Sequence, residues 1–171
     1  TQRVPEGDHR PRHVCTACGT VHYQNPKIVA GCVPEHEGRI LLCRRAIEPR
    51  YGFWTIPAGF MENGETTQEA ARRESLEEAQ AEVEVGSLLA VVHVIHADQV
   101  HVMYRANLPK PEFDVSPESL EVMLCDETAV PWQDIAFRSV DYALRRYFED
   151  RRAGIERHHI TAIDLRPRAD R

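Results

Sequence analysis

The sequence predicts one layered domain of the α/β class, and three observations carry that expectation. KIVAGCVPEHEGRILLCRR holds two aliphatic, β-branched runs around a His-Glu-Gly turn. Residues 66–81 are rich in Ala, Glu and Arg without Gly or Pro. Further strand patterns follow, and then a second helical period near residue 140. Mixed strand and helix order of this kind gives an α/β or α+β architecture. At 171 residues and 42% hydrophobic content the chain suits one domain with its own core and a small appendage.

The elements read in order as follows. Residues 1–26 form an N-terminal arm rich in Arg, His and Pro, with Cys15 and Cys18 in CTACG. Residues 27–152 are the main domain, opened by the strand pair above. GFWTIPAGF, punctuated by Gly and Pro, suits a strand-to-loop transition. Thr66 or Thr67 can cap the first helix. AEVEVGSLLAVVHVIHADQVHVMYRANL offers two or three strands, 109–117 a loop, and VMLCDETAVPW another strand and turn. Val140, Leu144, Tyr147 and Phe148 then stand at helical spacing. Residues 153–171 read as a basic tail with a flexible end.

Charge and composition narrow the function. A net charge of −6, from 21 basic and 27 acidic residues, argues against a nucleic-acid partner, while a few local arginines can still hold a small anion. No apolar run approaches the length of a membrane span, and no charged-then-apolar leader opens the chain. Thr1 in place of Met fits a trimmed N-terminus. Five cysteines, with Cys32 and Cys43 inside apolar runs, suggest buried thiols and a reducing cytoplasm.

The chemistry concentrates in RRESLEEAQ. On a helix, Glu74, Glu77 and Glu78 fall within an arc of roughly 100°. Left unneutralised, such like-charge neighbours cost ~0.2–0.5 kcal/mol per pair. A solvated acidic face is the plain reading. A site for a hard cation is the sharper one, since Mg²⁺ and Mn²⁺ favour carboxylate oxygens together with substrate phosphates. Gly59 and Gly64 in the preceding GFMENGE allow backbone to approach a ligand, and Glu65 and Arg73 can tie that loop to the helix.

GFMENGETTQEAARRESLEEA resembles the Nudix box, Gly-x5-Glu-x7-Arg-Glu-U-x-Glu-Glu-x-Gly-U with U aliphatic. Every charged position and the first glycine match; Ser75, Gln80 and Ala81 depart, at positions of packing and of the helix end. The resemblance implies a Nudix α/β/α sandwich with a mixed sheet, and water-mediated cleavage of a nucleoside diphosphate derivative. It also implies Mg²⁺ or Mn²⁺ held by Glu74, Glu77, Glu78 and the Gly59 carbonyl, with Glu65 and Arg73 structural. A general base can come from Glu77 or Glu78, or from the loop acids Glu118 and Glu121, which equally read as surface glutamates.

Beyond the box, VCTACGTVHYQNPK, LLCRRAIEPRYGFWTIPAGFMENGE, PESLEV and VPWQDIAF are similar to a zinc-ribbon-bearing Nudix subgroup that includes bacterial proteins and plant enzymes acting on FAD and ADP-ribose. The similarity runs from about Val4 to Arg152. That ribbon has two Cys-x-x-Cys knuckles, and this chain shows Cys15 and Cys18 alone. VPEGDHRPRHVC resembles the link after the first knuckle. Zinc needs four ligands, so either His9, His13 or His22 contributes or this half ribbon holds no Zn²⁺. An SQPWPFP-type segment is absent, which argues against NADH as substrate. Arg44, Arg45 and Arg50 can contact phosphate or ribose, or be solvated strand ends. Phe53 and Trp54 can stack on a ring, or anchor the core. His93, His96 and His101 read as satisfied polar residues. The expected product is AMP from ADP-ribose or FAD. A nucleoside triphosphate pyrophosphatase and a non-catalytic ligand sensor are the alternatives. Relatives of this kind imply a homodimer.

Overall fold

A computed structural model describes residues 1–166. The arm is a small antiparallel sheet of β1 (Gln2–Arg3), β2 (Arg12–Val14) and β3 (Val21–His22), in that order. Asp8 braces its first loop by accepting from Arg12 Nε at 2.8 Å.

The main sheet begins with β4 (Lys27–His36) and β5 (Arg39–Arg45). Glu37 and Gly38 between them have φ of 47° and 82°, the paired positive values of a tight hairpin turn whose twist matches its strands. The short β6 (Trp54–Thr55) pairs with β5 and β7 (Ala58–Phe60) with β4. Helix α1 (Thr67–Ala79) follows, then β8 (Glu84–Val94), β9 (Gln99–Asn107), β10 (Ser119–Cys125), α2 (Arg138–Ala153) and β11 (His159–Ile163). The strand order is β10-β5-β4-β9-β8-β11, with β4–β9 and β8–β11 parallel and the remaining pairs antiparallel. The sheet is therefore mixed.

Both faces of the sheet are buried, which is why its strands read as continuous apolar runs. Alternation sends Cys32, Leu41, Cys43 and Tyr104 to the α1 face, and Val33, Ile40, Leu42 and Met103 to the α2 face. The result is the α/β/α sandwich that the sequence predicts. Helix α2 buries Val140, Ala143, Leu144, Tyr147 and Phe148, an apolar stripe of helical period. Phe148 meets Trp132 and Tyr147 edge to face, at centroid distances of 6.2 and 5.2 Å.

The tail departs from expectation. Residues 159–163 are not a free end but β11, in register against β8 from His159↔Ala90 to Ile163↔Val94. A buried ionic cluster secures it: Asp150, 1% exposed, accepts from Arg105 Nη2, from the Arg157 backbone N–H and from His159 Nε2. The expected flexible end beyond residue 166 lies outside the described residues.

Candidate active site

Helix α1 starts with a reciprocal cap. Thr66 Oγ1 accepts from the Glu69 N–H at 3.2 Å, and the Glu69 carboxylate accepts from the Thr66 N–H at 2.7 Å. The helix buries small side chains, Ala70, Ala71, Ser75 and Ala79, and with them Glu74 and Glu78; Leu76, its one large aliphatic residue, is 52% exposed. Ser75, at the aliphatic position of the box, returns its hydroxyl to the Ala71 carbonyl at 3.0 Å and lies 3.2 Å from Cys32 Sγ. Gln80, where the box has glycine, adopts the left-handed conformation with φ 51°. Its amide donates to the Val115 carbonyl at 2.6 Å, tying the 109–117 loop to the helix end.

Small residues let α1 lie close to β7. A Cβ on Gly59 would meet the Glu74 carboxylate at 2.3 Å, so a larger residue there would push that carboxylate aside. The Ala58 N–H donates to Glu78 Oε2 at 3.1 Å. Arg73 is the hub of the loop: Nε and Nη2 donate to both Glu65 oxygens, Nη2 to the Phe60 carbonyl at 3.0 Å, and Nη1 to Glu74 at 2.7 Å and Glu77 at 2.9 Å. Its guanidinium holds Glu65 below the usual carboxylate range. Burial pushes Glu74 up, against the pull of Arg73, and pushes Glu78 to about 8. Neighbouring Glu74 and Glu118 raise Glu78 further, while the Ala58 N–H and Arg45 oppose the shift.

These groups line one end of a cleft of about 780 Å³. Of the predicted site residues, Gly59, Glu74, Glu77, Glu78, Glu118, Arg45, Arg50 and Arg73 meet there. Arg45 is 8% exposed, donates from Nε to the Pro49 carbonyl at 2.9 Å and stacks 5.1 Å from the Phe137 ring. Among the described residues it has no ion pair, which is unusual for a buried guanidinium.

Four residues predicted to act in catalysis or substrate contact lie elsewhere. Arg44 and Glu121 face each other across β5 and β10, 3.6 Å apart and away from the cleft, because a register shift between Ser119 and Glu121 turns that side chain outward. Trp54 is 9% exposed and belongs to the core beneath α2. Phe53 sits under the Arg50 guanidinium at 5.5 Å and is not part of the cleft wall. The cleft has instead recruited residues that linear reading missed: Phe60, 50% exposed, and Gln99, His101 and Met103 of β9. Only the position of Phe60 beside Gly59 hinted at its place.

The donor set at the glutamate end is entirely hard oxygen, which fits Mg²⁺ or Mn²⁺ and not a thiophilic ion. Among the described residues no three Cys, His, Asp or Glu side chains close into a ready-made cage, and Arg73 supplies the counter-charge between Glu74 and Glu77. Cys15 and Cys18 likewise have no third ligand; Cys18 Sγ lies 3.1 Å from Thr20 Oγ1. A second hollow of about 700 Å³ lies at the opposite end of the sheet, where Tyr147 pairs with Glu35 and Arg105 with Asp150. It contains none of the box residues.

Fold and carboxylate platform together define a hydrolase of the Nudix type. The NUDIX domain model matches residues 25–151, and the chain belongs to that family. The zinc-ribbon Nudix N-terminal model matches residues 1–24. A Nudix hydrolase from Nitrosomonas europaea, solved by crystallography, is 50% identical with a TM-score of 0.93, over 96% of this chain and 93% of that one. An ADP-ribose pyrophosphatase from Methanocaldococcus jannaschii is 39% identical over 69 residues, 40% of this chain and 41% of that protein. A MutT-like protein from Streptomyces ambofaciens is 34% identical over 121 residues, 68% of this chain and 71% of its own length. No helix among the described residues is long and apolar enough to cross a membrane.

Proposed function

We propose that the chain hydrolyses the diphosphate link of a nucleoside diphosphate derivative, ADP-ribose or FAD, and releases AMP. The observation that carries this reading is the convergence of Glu74, Glu77, Glu78 and the Gly59 backbone at one end of a cleft that also holds the unpaired Arg45. The partial match to an ADP-ribose pyrophosphatase supports the substrate class. Mg²⁺ or Mn²⁺, held by those carboxylates and the Gly59 carbonyl, would neutralise phosphate oxygens and lower the pKa of a water. The protein groups then divide the remaining work. Arg45 orients the diphosphate, the Ala58 N–H fixes the Glu78 carboxylate, Arg73 holds the loop against the helix, and Glu118 or Glu77 takes the proton of the attacking water.

The match to a MutT-like protein favours a second reading, pyrophosphohydrolysis of a nucleoside triphosphate. A panel of ADP-ribose, FAD, NADH and nucleoside triphosphates with Mg²⁺ separates the two, with Glu77→Gln as control. Turnover of ADP-ribose or FAD that Glu77→Gln abolishes supports the proposal. Turnover confined to triphosphates moves the substrate, and no turnover of any of them sinks the catalytic reading. The chain is further proposed to act as a homodimer, which a monomeric mass in solution would overturn. Its buried free thiols Cys32, Cys43 and Cys125 suit a reducing cytoplasm.

A further inference from the structure

The cleft opens where the main sheet divides. Strands β4 and β5 pair only beside their turn, through Glu35↔Ile40 and His36↔Arg39. Beyond that point β4 takes β7 as its neighbour, and β5 takes β6. The carboxylates of α1 enter the gap from one face of the sheet. From the other face comes the first turn of α2, whose Phe137, Arg138, Ser139 and Val140 line the same cleft. An acidic helix face and a helix start therefore border one space.

The start of α2 is left unsatisfied. Its N-cap, Phe137, supplies no side-chain bond, and the Val140 and Asp141 N–H groups both donate to the Phe137 carbonyl. Among the described residues the Arg138 and Ser139 N–H groups have no acceptor, and such a helix start favours negative charge. Cations gather there instead. Arg138 is exposed and has no ion pair among the described residues, whereas Arg145 and Arg146 further along pair with Asp141 and Glu149. Arg45 stacks on Phe137 itself and is 8% exposed. Its two Nη atoms have no partner among the described residues, yet neither is enclosed, so their remaining surface opens into the cleft that Arg45 lines. Ser139, 3% exposed, likewise keeps a hydroxyl that is unpartnered and not closed off. Two guanidiniums beside the positive end of a helix oppose folding, and an anion among them reverses the sign.

Building on the reading of the cleft as a nucleotide site, we propose that the first turn of α2 is its second phosphate seat. The carboxylate end of the cleft serves one phosphoryl group of the diphosphate through its cation. The other phosphoryl group accepts from α2 and its neighbour: the Arg138 and Ser139 N–H groups, the Ser139 hydroxyl, and the Arg45 and Arg138 guanidiniums. Every group in this seat donates, so it holds a phosphate without any metal.

Calorimetric titration of the chain with pyrophosphate, after removal of metal on a chelating resin and at constant ionic strength, tests this without turnover. Bare carboxylates on α1 repel an anion, so saturable binding under these conditions reports the α2 seat. Arg138→Glu should weaken that binding by about tenfold or more, and Ser139→Asp, which places a carboxylate in the seat, should abolish it. Glu77→Gln should bind pyrophosphate at least as tightly as the unaltered chain. No binding to the unaltered metal-free chain overturns the proposal, and so does binding that both α2 variants leave unchanged. Equal losses in Glu77→Gln and Arg138→Glu would place the anion elsewhere and overturn it too. Should Ser139→Asp fail to fold, Arg138→Glu, at an exposed position, decides the matter. Metal-free binding that these variants remove, in a chain that cleaves no diphosphate, would retain the seat and lose the catalytic reading. Turnover without metal-free binding would do the reverse.

Discussion

The two helices flank the same sheet and are held to it by opposite means. Helix α2 buries Val140, Leu144, Tyr147 and Phe148, and burial of apolar area dominates its attachment. Helix α1 buries alanines, a serine and two glutamates, and leaves its one leucine outside. Its position rests on a capping box, the Arg73 hub and the Gln80 amide. The contrast shows where this fold trades stability for chemistry. A helix that must present carboxylates to a cleft cannot also present a hydrophobic stripe, so local polar contacts replace it.

The largest expected effect comes from exchanging one carboxylate on α1. Glu78→Gln should lower kcat/KM on the preferred diphosphate by roughly 10³-fold or more, on the order of 4 kcal/mol. Thermal stability should stay level near neutral pH, because burial already favours the neutral Glu78 carboxyl and the amide oxygen still accepts from the Ala58 N–H, and should rise above pH 8, where a buried charge is avoided. Next in size is Phe148→Ala on α2, expected to cost about 3–5 kcal/mol in urea unfolding by leaving a cavity beside Trp132 and Tyr147. Residual folded protein should keep its kcat. If Glu78→Gln destabilises the chain as much as Phe148→Ala does, the contrast between the helices breaks.

Acid sharpens the same comparison, through the orphaned ring nitrogen of His101 on the α2 face. The folded His101 pKa is depressed to about 4 from 6.5, so the unfolded chain binds the proton more readily. The contribution to stability is complete above pH 6.5 and is lost as pH falls from 6.5 toward 4. Linkage sets a ceiling of roughly 3 kcal/mol on that loss. Urea midpoints across this range should flatten in His101→Leu. An unchanged slope would assign the acid sensitivity to other groups.

What the sequence disclosed follows the same division. Helix α1 was legible because its signals are local: composition, a cap and spaced charges lie within 22 residues, 59–80. The apolar stripe of α2 was legible for the same reason. The misplaced strand residues depend on register. Whether Glu121 or Glu118 faces the cleft is set by a shift in the β10–β5 ladder, and Arg44 turns outward while adjacent Arg45 turns inward. Strand β11 was missed because its pairing with β8 and its anchor at Asp150 join residues far apart in the chain. His101 looked like a satisfied polar residue, since nothing in linear sequence reveals that one ring nitrogen lacks a partner.

The smallest effect tests how α1 is fastened. Thr66→Ala removes the acceptor for the Glu69 N–H and half of the capping box, a loss of about 1 kcal/mol. Thr66→Ser keeps the hydroxyl and should cost only a fraction of that. Helix α2 offers the control, because its N-cap, Phe137, supplies no side-chain cap and its first turn is held by burial of Val140. The Thr66 variant should show a lower urea midpoint with an unchanged m-value, since no core surface is exposed. Activity should fall by a few-fold at most, because Arg73 still ties Glu65 to the helix. A midpoint identical to that of the unaltered chain would mean that the Arg73 hub alone fixes the start of α1. The polar fastening would then be one of ion pairing and not of capping.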